Sequence, residues 1–228
     1  MAGLQREEVN MENINVVPCE VALLDHMGSD LSVVNAARVS FAKFSNIITD
    51  GDKKLISFLA KNGHWSPFAH CSIQFRIKAP IFVARQLVKH QVGLSWNETS
   101  RRYVDSPPEF FFPDIWRTRA LDKKQGSGED ISEQLQKECF TILENVTDLC
   151  LNKYNYLLEI GVAPEQARIV LPLNSMTEWW WTGSLYAFAR ICKERLAPDA
   201  QQETKDVAKK ISEEMAKIFP ISWETLTH

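Results

Sequence analysis

Residues 70–78 read HCSIQFRIK, where Cys71, Ile73, Phe75 and Ile77 alternate with Ser72, Gln74, Arg76 and Lys78. That period of two predicts a strand with one buried face. The apolar run over residues 16–24 predicts another strand, and residues 173–182, with Trp179, Trp180 and Trp181, a third. Alternate strand residues face opposite sides, so the tryptophans divide between a core face and an outer face. Helical spacing fills most of the rest. Asp30 stands where a cap would open a helix over residues 31–38, and Gly63 stops a second over 52–62. Pro80 suits the first residue of a helix continuing over 81–91. Leu135, Cys139, Ile142, Val146, Leu149, Lys153 and Tyr156 follow at spacings of four and three, the seam of a long amphipathic helix ended by Gly161. Pro164 opens a short helix carrying Arg168, and residues 183–195 and 200–219 read as two more helices. Residues 1–15 read as a loose leader. Residues 104–130, with Pro107, Pro108, Pro113, Gly126 and Gly128, are irregular, and 123–130 read as a mobile surface loop. Strand runs mixed with helix runs, without internal repeats, predict an α+β fold.

Composition narrows the function classes. The 228 residues are 45% hydrophobic and 24% charged, which excludes a disordered or collagen-like chain and fits one domain over 1–228. Lys and Arg number 26 against 29 Asp and Glu, and a net charge of −3 argues against a protein that coats nucleic acid. No stretch approaches the roughly 20 apolar residues that span a bilayer, and the polar, acidic first residues are unlike a signal peptide. A cytoplasmic protein without membrane partners is expected. Cys19, Cys71, Cys139, Cys150 and Cys192 are scattered without a CxxC pair, which predicts buried free thiols in a reducing compartment.

Neither GxGxxG after a strand, GxxxxGK[ST], HExxH nor GxSxG occurs in the sequence. His64 and His70 stand six apart without supporting carboxylates, so no metal site is expected, and His70 reads as a core or hydrogen-bonded histidine. The polar chemistry gathers instead in residues 89–103, KHQVGLSWNETSRRY, directly after Arg85 and Gln86. On a helix running to residue 91, Arg85 and Lys89 share one face and Gln86 and His90 the next. A merely solvated helix favours Lys/Glu pairs; this segment offers cations, amides and hydroxyls with one carboxylate. Guanidinium forks suit phosphate, while amides and hydroxyls suit base edges. Three readings stand on these residues: a charged surface helix and turn, a strand-binding patch with Trp96 and Tyr103 stacking on bases, and a nucleotide or phosphorylated-metabolite site.

The segment resembles the signature of the flavin-dependent thymidylate synthases: Arg-His-Arg, seven or eight residues, then Ser, with Glu two before it and Arg two after. Here it stands as Lys89-His90-Gln91, eight residues, Ser100, with Glu98 and Arg102 in register. Residues 31–41 (LSVVNAARVSF), 64–70 (HWSPFAH), 78–86 (KAPIFVARQ) and 167–174 (ARIVLPLN) resemble further blocks of that family, and Arg195 falls where the family has an essential arginine.

The resemblance implies an α+β fold with a mixed or antiparallel sheet flanked by helices. It implies a homotetramer whose subunits share active sites. It implies FAD, NADPH, dUMP and methylenetetrahydrofolate as ligands, dTMP as product, and no stable nucleic-acid partner. Arg85, Gln86, Lys89, Glu98, Ser100, Arg101, Arg102, Arg168 and Arg195 would line dUMP. Ser40, His64, Ser66, Lys89, His90, Gln91, Glu98, Ser184, Tyr186 and Arg190 would line FAD. Arg195, Ser100 and His64 would serve catalysis. Methylation at C5 of uracil needs an electron-rich ring. No Cys lies in the polar segment to add to C6, so a cation at the ring edge takes that part, and Arg195 keeps its charge at any working pH. Ser100 reads as a hydrogen-bond partner of dUMP rather than a nucleophile. The chain departs from the family pattern at Lys89, Gln91, Ser184, Tyr186 and Asp199, which predicts a weaker hold on FAD. The rival reading is a relative that lost catalysis and only binds nucleotide or single strands.

Overall fold

The computed structural model describes residues 14–104, 106–121 and 126–227. The short strand β1 (Asn15–Val16) and β2 (Glu20–Met27) precede helices α1 (Asp30–Arg38), α2 (Asp50–Lys61) and the single turn α3 (Ser66–Ala69). Strand β3 (Ser72–Pro80) runs into α4 (Ile81–Leu87) and then β4 (Leu94–Glu98). Three short strands follow, β5 (Glu109–Phe110), β6 (Arg117–Arg119) and β7 (Ser127–Asp130), then the long α5 (Glu133–Glu159) and the short α6 (Pro164–Ala167). Strand β8 (Met176–Ser184) leads into α7 (Leu185–Arg195), α8 (Gln202–Ile218) and α9 (Pro220–Thr227).

The central sheet is antiparallel, in the order β2-β3-β8-β4. Ile73, Phe75, Ile77 and Ala79 of β3 and Trp179 and Trp181 of β8 point into one core with α1, α2, α4 and α7–α9. The opposite sheet face carries Gln74, Arg76, Glu178, Thr182 and a half-exposed Trp180, which sits across from Arg76. A satellite cluster of Ile14, Phe110, Phe112 and Leu151 docks α5 against β1 and β5.

Several boundaries differ from the sequence expectation, each for a local reason. Of the expected leader, residues 1–13 lie outside the described residues. The strand expected at 16–24 begins at Glu20, because residues 15–17 pair with β5 and Pro18 has no N–H to give a ladder. Ser29, not Asp30, is the N-cap of α1. The buried Asp30 carboxylate instead accepts from the backbone N–H groups of Ile221 and Ser222, at 3.0 and 2.9 Å, and caps α9. Thr49 opens α2 two residues early by sharing reciprocal bonds with Asp52. Pro80 ends β3 in extended conformation instead of starting a helix.

Helix α4 stops at Leu87, not at residue 91. The chain turns at Gly93, where φ is +76° and a side chain would be strained, and returns as the edge strand β4. The shared helix faces of Arg85 with Lys89 and Gln86 with His90 therefore do not form. Of the expected loop 123–130, residues 123–125 lie outside the described residues, and Ser127–Asp130 forms β7, paired with β6. Arg168 is the C-cap of α6 and opens a 3₁₀ turn. Cys19, Cys71 and Cys192 are buried free thiols, whereas Cys139 and Cys150 on α5 are only half-buried. The seam of α5 is reversed: Leu135, Ile142, Val146, Leu149 and Tyr156 are exposed, while Gln136, Thr147, Leu151 and Tyr154 are buried. No described helix is long and apolar enough to cross a membrane.

Candidate active site

The polar segment wraps one edge of the sheet. Leu94 pairs with Gly183 and Glu98 with Trp179, so β4 carries the segment along β8 for about 13 Å. Inward Trp96 stacks on Trp179 with ring centroids 4.3 Å apart, which fixes the register and turns Ser95 and Asn97 outward, while Glu98 ends the strand on the face of Trp96.

At the Gly93 end the structure gathers several residues assigned to FAD. Gly93 accepts from Ser184 N–H at 3.2 Å, and the Ser184 hydroxyl accepts from Ala187 N–H to cap α7. Tyr186 in the first turn of α7 lies 6.5 Å from Trp65, between His64 and Ser66. His64 stands edge-on to Phe58 at 5.7 Å and is exposed. Ser40 occupies the 3₁₀ turn after α1, the helix that packs on α3. His70, expected in the core or hydrogen-bonded, is exposed. Among the described residues, Arg85, Lys89, Gln91 and Arg190 make no side-chain hydrogen bond or ion pair. All four are exposed. Three such cations and one free amide fit an anionic dinucleotide such as FAD.

Beyond the far end of β4 stands the group assigned to dUMP. Glu98 accepts from Trp96 Nε1 at 3.1 Å and from the Thr177 hydroxyl at 2.7 Å. Ser100 Oγ accepts from Arg102 Nε at 3.1 Å. Arg101 donates to the carbonyls of Ser106 and Pro107 and lines a cleft with Lys78, Thr99 and Thr177. Arg102 lies 5.0 Å from the Tyr103 ring centre. Among the described residues neither Glu98 nor His90 bonds Ser100. Burial holds the Cys19 and Cys71 thiols up at about 11, so both stay protonated and unreactive at neutral pH.

Arg195 sits at the end of α7, and its Nε donates to His90 Nε2 at 2.9 Å. His90 must be neutral to accept. Burial, then the charges of Arg195 and Arg190, pull its pKa below the usual histidine value, against the opposing pull of Glu194. With Nε2 accepting, the ring proton resides on Nδ1, 4.0 Å from a Glu194 carboxylate oxygen. Among the described residues the guanidinium nitrogens Nη1 and Nη2 of Arg195 have no hydrogen-bond partner. Arg168 is exposed, and its Nε donates to the Glu165 carbonyl at 3.2 Å.

Sequence reasoning missed Glu194 and Gln201. The Gln201 side chain accepts a hydrogen bond from Gln86. An acidic residue next to Arg195 and a glutamine before a helix carry no motif, and only the folded packing sets them beside His90 and Gln86.

Residues 22–221 match the family model described as thymidylate synthase complementing protein. The flavin-dependent thymidylate synthase of Thermus thermophilus is 40% identical over 203 residues, covering 89% of this chain and 73% of that protein. That of Thermosipho africanus is 39% identical over 203 residues, covering 89% and 88%. The crystal structure of the UMP/dUMP methylase PolB from Streptomyces cacaoi bound with 5-Br dUMP superposes with a TM-score of 0.82 at 29% identity, covering 94% of this chain and 97% of that one. A family match over residues 22–221, with relatives alike over most of the chain, means that this chain belongs to the thymidylate synthase complementing proteins, the flavin-dependent thymidylate synthases.

Proposed function

We propose that the chain, acting as one domain, converts dUMP to dTMP by reductive methylation, with methylenetetrahydrofolate as carbon donor and NADPH as reductant through FAD. The observation that carries this reading is the likeness, over 94% of the chain, to a methylase whose structure holds 5-Br dUMP. When bound, FAD supplies the redox chemistry that no side chain can. The protein's own groups bind and polarise. Lys89, Gln91 and Arg190, with the hydroxyls of Ser40 and Ser66, hold the flavin nucleotide, and His64 flanks it. Arg85, Arg101, Arg102 and Arg168 take the dUMP phosphate. Ser100 and Glu98 orient the nucleotide. Arg195, steered by neutral His90, sets its free guanidinium nitrogens at the uracil edge and stabilises the negative charge left when N3 loses its proton.

We also propose a homotetramer. Among the described residues Arg168 makes no hydrogen bond or ion pair to the Glu98–Arg102 group, and the apolar seam of α5 is exposed. Burying that seam against a second copy would cover the apolar surface and let residues of neighbouring subunits share a site.

The test is product analysis. The protein is incubated with dUMP, methylenetetrahydrofolate, NADPH and FAD, each omitted in turn, and dTMP is measured by mass spectrometry. The expected result is dTMP that depends on all four. Folded protein that binds dUMP yet forms no dTMP would overturn the reading in favour of a nucleotide-binding relative.

A further inference from the structure

An ionised carboxylate accepts hydrogen bonds and donates none. The Glu203 carboxylate is buried between two donors: Arg117 Nη2 at 2.5 Å and Gln201 Nε2 at 2.9 Å. Burial raises its pKa, but the bonds from Arg117 and Gln201 with the Arg117 charge outweigh this and keep it ionised. Gln201 must therefore turn its NH₂ group toward Glu203, and its carbonyl oxygen is left facing the other way. That oxygen accepts from Gln86 Nε2. Gln86 in turn has its nitrogen committed inward, and among the described residues its own Oε1 accepts no hydrogen bond. A flip anywhere along this chain sets one acceptor against another.

We infer that Gln201 is a positioning residue that fixes the side-chain amide of Gln86, so that Gln86 offers a carbonyl acceptor to a hydrogen-bond donor of the ligand, a ring N–H or a sugar hydroxyl. A phosphate oxygen, an acceptor itself, is turned away from that oxygen. The order comes from Arg117 and Glu203, residues of β6 and α8 outside the polar segment. The inference rests on the dUMP reading above.

The test is dUMP binding by calorimetry for the full-length protein, with N3-methyl dUMP and 3′-deoxy dUMP as analogues that each lack one donor. Gln201→Met is expected to weaken dUMP about tenfold, the worth of one well-made hydrogen bond. It should also narrow the preference for dUMP over the analogue that lacks the matched donor. In a Gln86→Met background the same change should add nothing. Glu203→Gln is the sharper variant. Arg117 would pin the oxygen of the new amide, its NH₂ would face Gln201, and each later amide would reverse. Gln86 would then offer N–H groups, and the preference for dUMP over that analogue would vanish. A merely structural role would weaken dUMP and both analogues alike. The inference falls if Gln201→Met leaves dUMP binding unchanged, or weakens it as much when Gln86 is already Met. If the unaltered protein binds no dUMP, the dUMP reading falls instead. The relay is then judged by the Gln86 side-chain amide signals in selectively labelled protein, whose protons should exchange slowly and lose that protection in Gln201→Met.

Discussion

Arg195 keeps its charge at any working pH, so what varies at this site is the partner that aims it. Arg195→Ala is expected to abolish dTMP formation while NADPH oxidation persists in part, because the second activity needs no polarised uracil. Equal loss of both, measured side by side, would instead place Arg195 in flavin binding or folding. His90 accepts from Arg195 only when neutral, and its folded pKa lies below the usual value. The folded protein thus holds fewer protons on His90 than the unfolded chain does. The resulting stability is present above the unfolded pKa and is lost as pH falls through the folded one. Turnover should fall over the same acid range, as the imidazolium loses the bond and repels the guanidinium. His90→Gln keeps an acceptor that does not titrate. The acid limb of its pH–rate profile should disappear, and an unchanged limb would mean that His90 is not its source.

At the scale of elements, one carboxylate ties the first helix to the last. Asp30 lies in the first turn of α1 and caps α9 through the N–H groups of Ile221 and Ser222. Asp30→Ala should destabilise the protein by about 2 kcal/mol, through loss of a buried charge-assisted cap. Asp30→Asn, which keeps one acceptor, should lose less. Urea unfolding midpoints decide it, and a neutral Asp30→Ala would show that α9 stays docked by Trp223 and its other core contacts alone. Strand β4 makes the complementary point. Its five residues, LSWNE, are mostly polar, yet Trp96 on Trp179 holds them on the sheet and carries the polar segment from one end of β8 toward the other.

At the scale of the whole molecule, the long α5 leaves an apolar seam exposed on the single chain, the surface that the proposed assembly would cover. Ile142→Glu and Leu149→Glu should each shift the protein to a smaller assembly in analytical ultracentrifugation and lower dTMP formation with it. Catalysis that survives in a fully dissociated variant would refute shared active sites.

Much of this was legible in the sequence. The alternation at Cys71, Ile73, Phe75 and Ile77 marked the central strand, because a strand with one buried face writes its own pattern. The spacing of Glu98, Ser100 and Arg102 after Lys89 marked the family, to which the chain belongs. The spacing of Leu135 to Tyr156 correctly marked a helix, but spacing cannot say whether an apolar face meets its own core or another surface. Residues 94–98 gave no strand signal, since the partner that stabilises them, β8, lies about 80 residues on. Only tertiary structure set His90 against Arg195 and Gln86 against Gln201, pairs separated by more than 100 residues. Local sequence determines which backbone conformation and which chemistry a segment can adopt. Contacts distant along the chain decide which of those conformations is kept and which groups meet, because burial and hydrogen bonding are gained only once the elements pack.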